Sequence, residues 1–179
     1  QAVVARQLVK AFNGIRAVDQ LDLSIPRGAS WGFIGPSGAG KTTTIRLIMS
    51  ILFPDSGSLQ VLGRDSALDA RQLVGYLPEE RGVYRKMRID DCLLFLARLR
   101  GMEESVARPR AAKLLEQLGL TNVGRVRCED LSKGMLQRVQ FVGAILHEPE
   151  LLILDEPFSG LDPVSVRALK EVVRAERAR

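Results

Sequence analysis

Three features of the sequence predict an α/β protein with a parallel sheet. A compact apolar run, Ser30-Trp31-Gly32-Phe33-Ile34, ends in a glycine-rich loop, and helical spacing follows it. A second run, Leu151 to Leu154, is apolar at every position, as a strand covered on both faces must be. Strand-like and helix-like segments alternate along the chain, the pattern of parallel strands joined by helices. The strand-rich segment before Ser30 adds an antiparallel piece. About 90–131 reads as a mostly helical insertion within a single domain, 1–179.

Each element has a local reason. Val3 to Val9 and Leu21 to Ile25 read as short strands, the second closed by Pro26-Arg27-Gly28. In Thr42 to Leu52, residues Ile45, Ile48, Met49 and Leu52 share one helical face. Pro54-Asp55-Ser56-Gly57 is a turn before a strand through Leu59, Val61 and Leu62. Asp90-Asp91 opens a helix from Cys92 to Arg100 that Gly101 ends, and another from about Val106 to Leu118 stops at Gly119. Ser132 starts a helix through Ile145, and Pro163 begins the last one.

Composition narrows the function classes. Apolar residues at 46% and charged residues at 26% describe an ordinary globular chain, not a disordered one. Cys92 and Cys128 form no CxxC and have no neighbouring histidine, so neither a disulfide scaffold nor a zinc site is expected. No apolar stretch is long enough to cross a bilayer, and no secretory signal opens the chain. The net charge is +5, but the basic residues are scattered, with modest clusters at Arg81–Arg88 and Arg98–Arg110. Aromatics make up only 5% and form no ladder between them, so solvated arginine faces are expected, not a nucleic-acid surface.

The chemistry starts at Gly35-Pro36-Ser37-Gly38-Ala39-Gly40-Lys41-Thr42, a phosphate-binding loop pattern with a third glycine. From this composition a chance match is expected only about 0.004 times. Glycines let successive backbone N–H groups turn inward around phosphates with no Cβ in the way. Lys41 supplies a cation for the β- and γ-phosphates, Thr42 a hydroxyl for Mg²⁺, and the following helix its positive dipole end. A nucleoside triphosphate is the expected ligand, and Thr43 extends the binding segment. Downstream, Leu151 to Leu154 delivers Asp155 and Glu156 at its C-terminal end, where ligand sites of open α/β sheets lie. Asp155 suits the metal, and Glu156 suits a general base that polarises water.

Between them lies Leu131-Ser132-Lys133-Gly134-Met135, followed by Leu136-Gln137-Arg138 and a helix. With the loop, the acidic strand and Ser159-Gly160-Leu161-Asp162, this order resembles the ABC-type ATPases over essentially the whole chain. The resemblance implies a P-loop NTPase sheet core with the antiparallel piece and helical insertion described above. It implies that Phe12 stacks on adenine, that Gly75-Tyr76-Leu77-Pro78-Glu79 is the Q-loop, and that Asp162 belongs to the D-loop. Glu79, standing for the usual glutamine, joins Thr42 and Asp155 as a metal contact and joins Glu156 and Lys41 among the catalytic residues. Met135 replaces the polar last residue of the signature. Glu79-Glu80-Arg81-Gly82-Val83-Tyr84 with Leu99-Arg100-Gly101-Met102 is similar to subunits linked to sodium extrusion and drug efflux.

The resemblance further implies a homodimer or pseudo-dimer holding ATP and Mg²⁺, with Ser132, Lys133, Gly134 and Met135 of one chain facing the nucleotide of the other. Each dimer would drive an integral-membrane permease that docks near Tyr84 to Met102, placing the chain in the cytoplasm on the inner face of the cell membrane. The family adds a strand and a γ-phosphate histidine after the D-loop helix. His147 precedes Asp155, so this sequence is expected to be truncated there. The alternative is a soluble ABC ATPase acting on nucleic acid or ribosomes. A third reading is a fragment that binds ATP without turnover.

Overall fold

The computed structural model describes residues 1–65, 67–79 and 84–178. They form two compact units, Gln1–Val74 and Gly75–Arg179. In the first unit, β1 (Val3–Phe12) and β2 (Ile15–Ile25) form an antiparallel hairpin, and β3 (Ser56–Val61) adds to the other edge of β1 in the order β2-β1-β3. Both strands of the hairpin run further than their apolar patterns suggest. The reason is the turn: Asn13 and Gly14 have φ of +49° and +80°, the left-handed pair whose twist suits a two-residue hairpin. Val3 faces Ile25 on one side and Val61 on the other. The register shifts between Ala5 and Leu8, where Gln7 bulges at φ +47°.

One face of this sheet buries Ala5, Leu8 and Val18 against Leu47 of α1 (Lys41–Ile48). Each fully buried leucine there contributes about 1.5–3 kcal/mol by leaving water. Helix α1 stops at Ile48, short of the expected Leu52. Ser50 turns left-handed at φ +52°, and the N–H groups of Ile51 and Leu52 fold back onto the Arg46 carbonyl at 2.9 and 3.1 Å. A short helix, α2 (Ala67–Ala70), and a 3-10 turn at Arg71–Leu73 close the unit.

Ser30–Ile34 departs from expectation. It forms no strand, and Ile34 is 99% exposed. An apolar run becomes a strand only when a neighbour takes its N–H and C=O groups. Among the described residues none does so for this run.

In the second unit β4 (Val74–Leu77) pairs with β5 (Leu151–Leu154). The two run in the same sense: Gly75 lies against Leu152, and the Asp155 N–H donates to the Leu77 carbonyl at 2.9 Å. All four residues of β5 are half-buried, less covered than the expected two-faced burial. Four helices accompany the pair: α3 (Ile89–Leu99), α4 (Glu104–Gln117), α5 (Lys133–Ile145) and α6 (Pro163–Ala178). They share a core that includes Leu77, Leu93, Leu118, Phe141, Ile145 and Leu169. Asp90 and Asp91 sit in the first turn of α3, where the helix dipole favours carboxylates. Gly101 and Gly119 take left-handed φ just past the ends of α3 and α4, as their positions in the sequence imply.

The arginine cluster of the helical region is used inside the fold. Glu104 joins Arg98 and Arg108, each at 2.5 Å. Arg110 reaches Glu148 at 2.7 Å, Glu176 at 3.2 Å and the Leu146 carbonyl at 2.9 Å, tying α4 to the end of α5 and to α6. Cys92 and Cys128 are both buried and reduced, and they hydrogen-bond to one another. Burial, first of all, pushes the Cys128 thiol up to about 12. Such thiols are packing groups.

Candidate functional site

The loop Gly35–Thr42 is built by backbone geometry. Gly38 and Gly40 both adopt φ +80°, and Gly40 leads directly into α1 as its N-cap. A Cβ on Gly40 would lie 2.2 Å from the carbonyl oxygen of Ala17, so β2 and the loop touch only because this residue is glycine. The Lys41 ammonium donates to the carbonyls of Gly35 and Pro36 at 2.8 Å each. The Ala39 N–H donates to Pro36 at 3.3 Å. Gly35, Pro36, Ser37, Gly38 and Ala39 are exposed, while Lys41, Thr42 and Thr43 are half-buried at the head of the helix. Thr44, which the sequence pattern did not single out, is buried and fixes this turn. Its hydroxyl and N–H both donate to the Gly40 carbonyl, at 2.9 and 2.8 Å.

Phe12 stands at the end of β1 and is 45% exposed, with the Lys10 ammonium 5.6 Å from its ring centroid. Lys10 is itself held by Asp55 at 2.7 Å, and the same carboxylate accepts the Ala11 N–H at 2.7 Å. The hairpin end of the strand is therefore anchored while nearly half of the Phe12 surface stays exposed.

In the second unit, Asp155 and Glu156 follow β5 in contrasting environments. Asp155 is only 7% exposed, whereas Glu156 is exposed and left-handed at φ +48°. That backbone costs a non-glycine residue about 1–3 kcal/mol and persists only where the surroundings fix it. A turn does so here: the Ser159 N–H donates to the Glu156 carbonyl at 3.1 Å, and Leu161 to Phe158 at 3.2 Å. Asp162 then caps α6, accepting the N–H groups of Val164 and Ser165 at 3.0 Å each and the Ser165 hydroxyl at 2.5 Å. The Ser165 hydroxyl, above all, holds the Asp162 carboxyl below its usual range.

Ser132 caps α5, its hydroxyl accepting the Met135 N–H at 3.3 Å. Met135 is half-buried against the apolar cluster, which accounts for an apolar residue at the end of this motif. Arg138 was not foreseen. It clamps the first turn of the helix, donating to Gly134 at 3.3 Å and to Leu118 at 2.7 Å. The structure brings Lys133 and Gly134 onto the loop before α6: a Cβ on Gly134 would lie 3.2 Å from the Gly160 carbonyl, and one on Gly160 would meet the Lys133 side chain. Glu79 is exposed just after β4. Of the neighbouring motif, residues 80–83 lie outside those described. Tyr84 follows, 50% exposed and packed edge-on against Phe95 with ring centroids 5.1 Å apart.

Residues 18–159 match the family model described as ABC transporter. This chain belongs to the ABC transporter family. A relative from Bacillus subtilis (strain 168), the uncharacterized ABC transporter ATP-binding protein YhaQ, is 49% identical over 93% of this ABC chain. The daunorubicin/doxorubicin resistance ATP-binding protein DrrA of Streptomyces peucetius is 38% identical over 98%. The chain spans 56% and 54% of those two proteins' lengths. Among solved structures, an ATP-binding subunit of an ABC transporter superposes with a TM-score of 0.91 at 30% identity, covering 99% of this chain and 75% of that one. Family membership implies nucleotide binding. Among the described residues no helix is long and apolar enough to cross a membrane.

Proposed function

We propose that this ABC chain is the ATP-hydrolysing motor subunit of a membrane exporter whose permease is a separate chain. The support it rests on most is the Gly35–Thr42 loop, with its two left-handed glycines and its lysine held over loop carbonyls at the head of α1. Gly35 to Thr43 would bind the phosphates, and Phe12, nearly half exposed, would stack on the base. Ser132 and Gly134 would meet the nucleotide of a second copy, from the N-terminal end of α5, where N–H groups and dipole favour an anion. Glu156 would take the proton of the attacking water, as a carboxylate on an exposed, fixed turn is able to do.

Mg²⁺ fits the donor chemistry, because Thr42, Asp155 and Glu79 offer hard oxygens. No three His, Cys, Asp or Glu side chains come together as a metal cage among the described residues. Phosphate oxygens and water would then complete the shell, which is how Mg²⁺ is usually held beside nucleotides. Bound there, the ion would neutralise charge on the phosphates.

ATP-driven pairing of two copies and their reopening after hydrolysis would bias the permease between two states. Exposed Tyr84 and Leu99 suit a docking surface in that region, with the chain peripheral on the inner face of the membrane. The helical part, about 90–131, would act as a subdomain of one ATPase domain. Drug resistance in the name of the Streptomyces relative favours an exporter.

Two variants of the full-length protein test the reading. Lys41→Ala removes a charge-assisted contact and is expected to weaken binding of a fluorescent ATP analogue by about 1.5–3 kcal/mol. Glu156→Gln is expected to keep binding, to lose about 10²- to 10⁴-fold in turnover, and to persist as an ATP-bound dimer in light scattering. Equal affinities for the first, or wild-type hydrolysis for the second, would overturn it.

A further inference from the structure

We propose that Lys133 is a positioning residue whose aliphatic stem, laid across Gly160, locks the head of α5 to the loop that carries Glu156. The proposal rests on the roles given above to Glu156, Ser132 and Gly134. Gly160 has φ +74°, and a Cβ there would lie 3.0, 3.1 and 3.4 Å from Cε, Cδ and Cγ of Lys133. The methylenes therefore lie flat over the bare Cα of a glycine. A second contact runs beside the first, since a Cβ on Gly134 would meet the Gly160 carbonyl at 3.2 Å and Leu161 Cδ2 at 3.5 Å. Two residues of one helix head thus bear on two consecutive residues of the loop.

From Gly160 the path to Glu156 is short and hydrogen-bonded. The Ser159 N–H closes on Glu156 and the Leu161 N–H on Phe158. The Phe158 ring lies under the Lys170 ammonium at 5.3 Å, and Asp162 fixes the far side by capping α6. On the α5 side the loop rests on a flexible side chain, that of Lys133. Within one chain the charge of Lys133 is not what places it: it is the first residue of a helix with no acid in its first turn, where the dipole disfavours a cation. Its stem supplies the reason, because long basic side chains cover surface with their methylenes while the ammonium stays in water.

The consequence is a mechanical link inside one chain. The element proposed to touch a second copy's nucleotide shares a contact with the loop bearing the base for its own. Glycine at 160 and a long stem at 133 are required together.

The test uses the full-length protein with Lys133→Ala, which deletes the stem, and Lys133→Met, which keeps most of it without charge. Hydrogen exchange at the Ser159 and Leu161 amides, measured without nucleotide, is expected to quicken about tenfold in the alanine variant, with the methionine variant recovering most of the protection. In steady-state assays the alanine variant is expected to lose about tenfold or more in kcat while KM for ATP stays within about twofold, because a displaced base affects the transition state alone. Methionine should restore most of that kcat. Unchanged exchange in the alanine variant would overturn the proposal. So would a methionine variant as poor as alanine with a raised KM, which would assign the ammonium directly to phosphate. Glu156→Gln run alongside separates the two readings. If it hydrolyses ATP like wild type, the base is misassigned, while the exchange result on Lys133 still decides the contact.

Discussion

Ser30–Ile34 and Leu151–Leu154 are both short apolar runs that lead into loops proposed to act on ATP, yet they have different structures. Leu151–Leu154 is a strand because β4 lies beside it and Leu77 accepts the first N–H beyond its end. Ser30–Ile34 has no ladder among the described residues and leaves Trp31 and Ile34 in solvent. Composition is not the difference, since both are rich in large apolar side chains. Strand identity is a property of a pair, and one run shows only half of it. The loops after them differ in the same sense. Gly35–Thr42 keeps its form chiefly through its own glycines, Lys41 and the next turn at Thr44, while the Glu156 turn depends on α5, α6 and Lys170 around it.

Substituting glycines in the two regions breaks the comparison most sharply. A Cβ at Gly75, on β4, would stand 2.3 Å from the Ala144 carbonyl and 2.8 Å from the Pro149 ring, so Gly75→Ala is expected to destabilise by about 3 kcal/mol. Gly32→Ala meets nothing within 4 Å and should change stability by less than about 0.5 kcal/mol. Urea midpoints of the two variants measure this. Equal losses would mean that the first run is packed after all. A smaller effect sharpens the contrast between the loops: Ser132→Ala removes the cap of α5 and should cost about 1 kcal/mol by the same measurement. A loss near zero would remove the cap from the supports of the Glu156 side.

The smallest effect is electrostatic. The folded Asp162 carboxyl sits below its ordinary 3.8, so its contribution is fully present above that value and is lost as pH falls through the depressed one. Wild type should therefore melt above Asp162→Ala at neutral pH, and the two should converge on acidification from about pH 5 to pH 2. A difference that persists undiminished in acid would show that the ionised carboxylate is not what caps α6.

Local chemistry was legible in the sequence wherever neighbours in the chain decide it. The start of α5 at Ser132, the start of α6 at Pro163, the stops at Gly101 and Gly119 and the glycine loop all stand where spacing put them. The left-handed turn at Asn13-Gly14 was equally local, and reading it would have lengthened both strands of the hairpin. Long-range decisions were not legible. Nothing in the residues next to Arg138 announces the Leu118 carbonyl, and nothing at Arg110 announces Glu176. Lys133 looked like one letter of a motif. Its contact with Gly160 depends on how α5 meets the loop, which no spacing encodes.

The two hydrogen bonds from Lys41 to the carbonyls of Gly35 and Pro36 make the loop a self-occupied receptor. The ammonium has three N–H donors, so a ligand can take the third outright and competes with these oxygens only for a second or third bond. An uncharged group offers nothing better than a peptide carbonyl, so exchanging one for the other gains almost no free energy. An ionised phosphate forms bonds roughly twice as strong and wins the exchange. Holding two of the three donors thus favours ionised acceptors over neutral ones at those two positions, and a phosphate group, with several charged oxygens, gains most from the exchange.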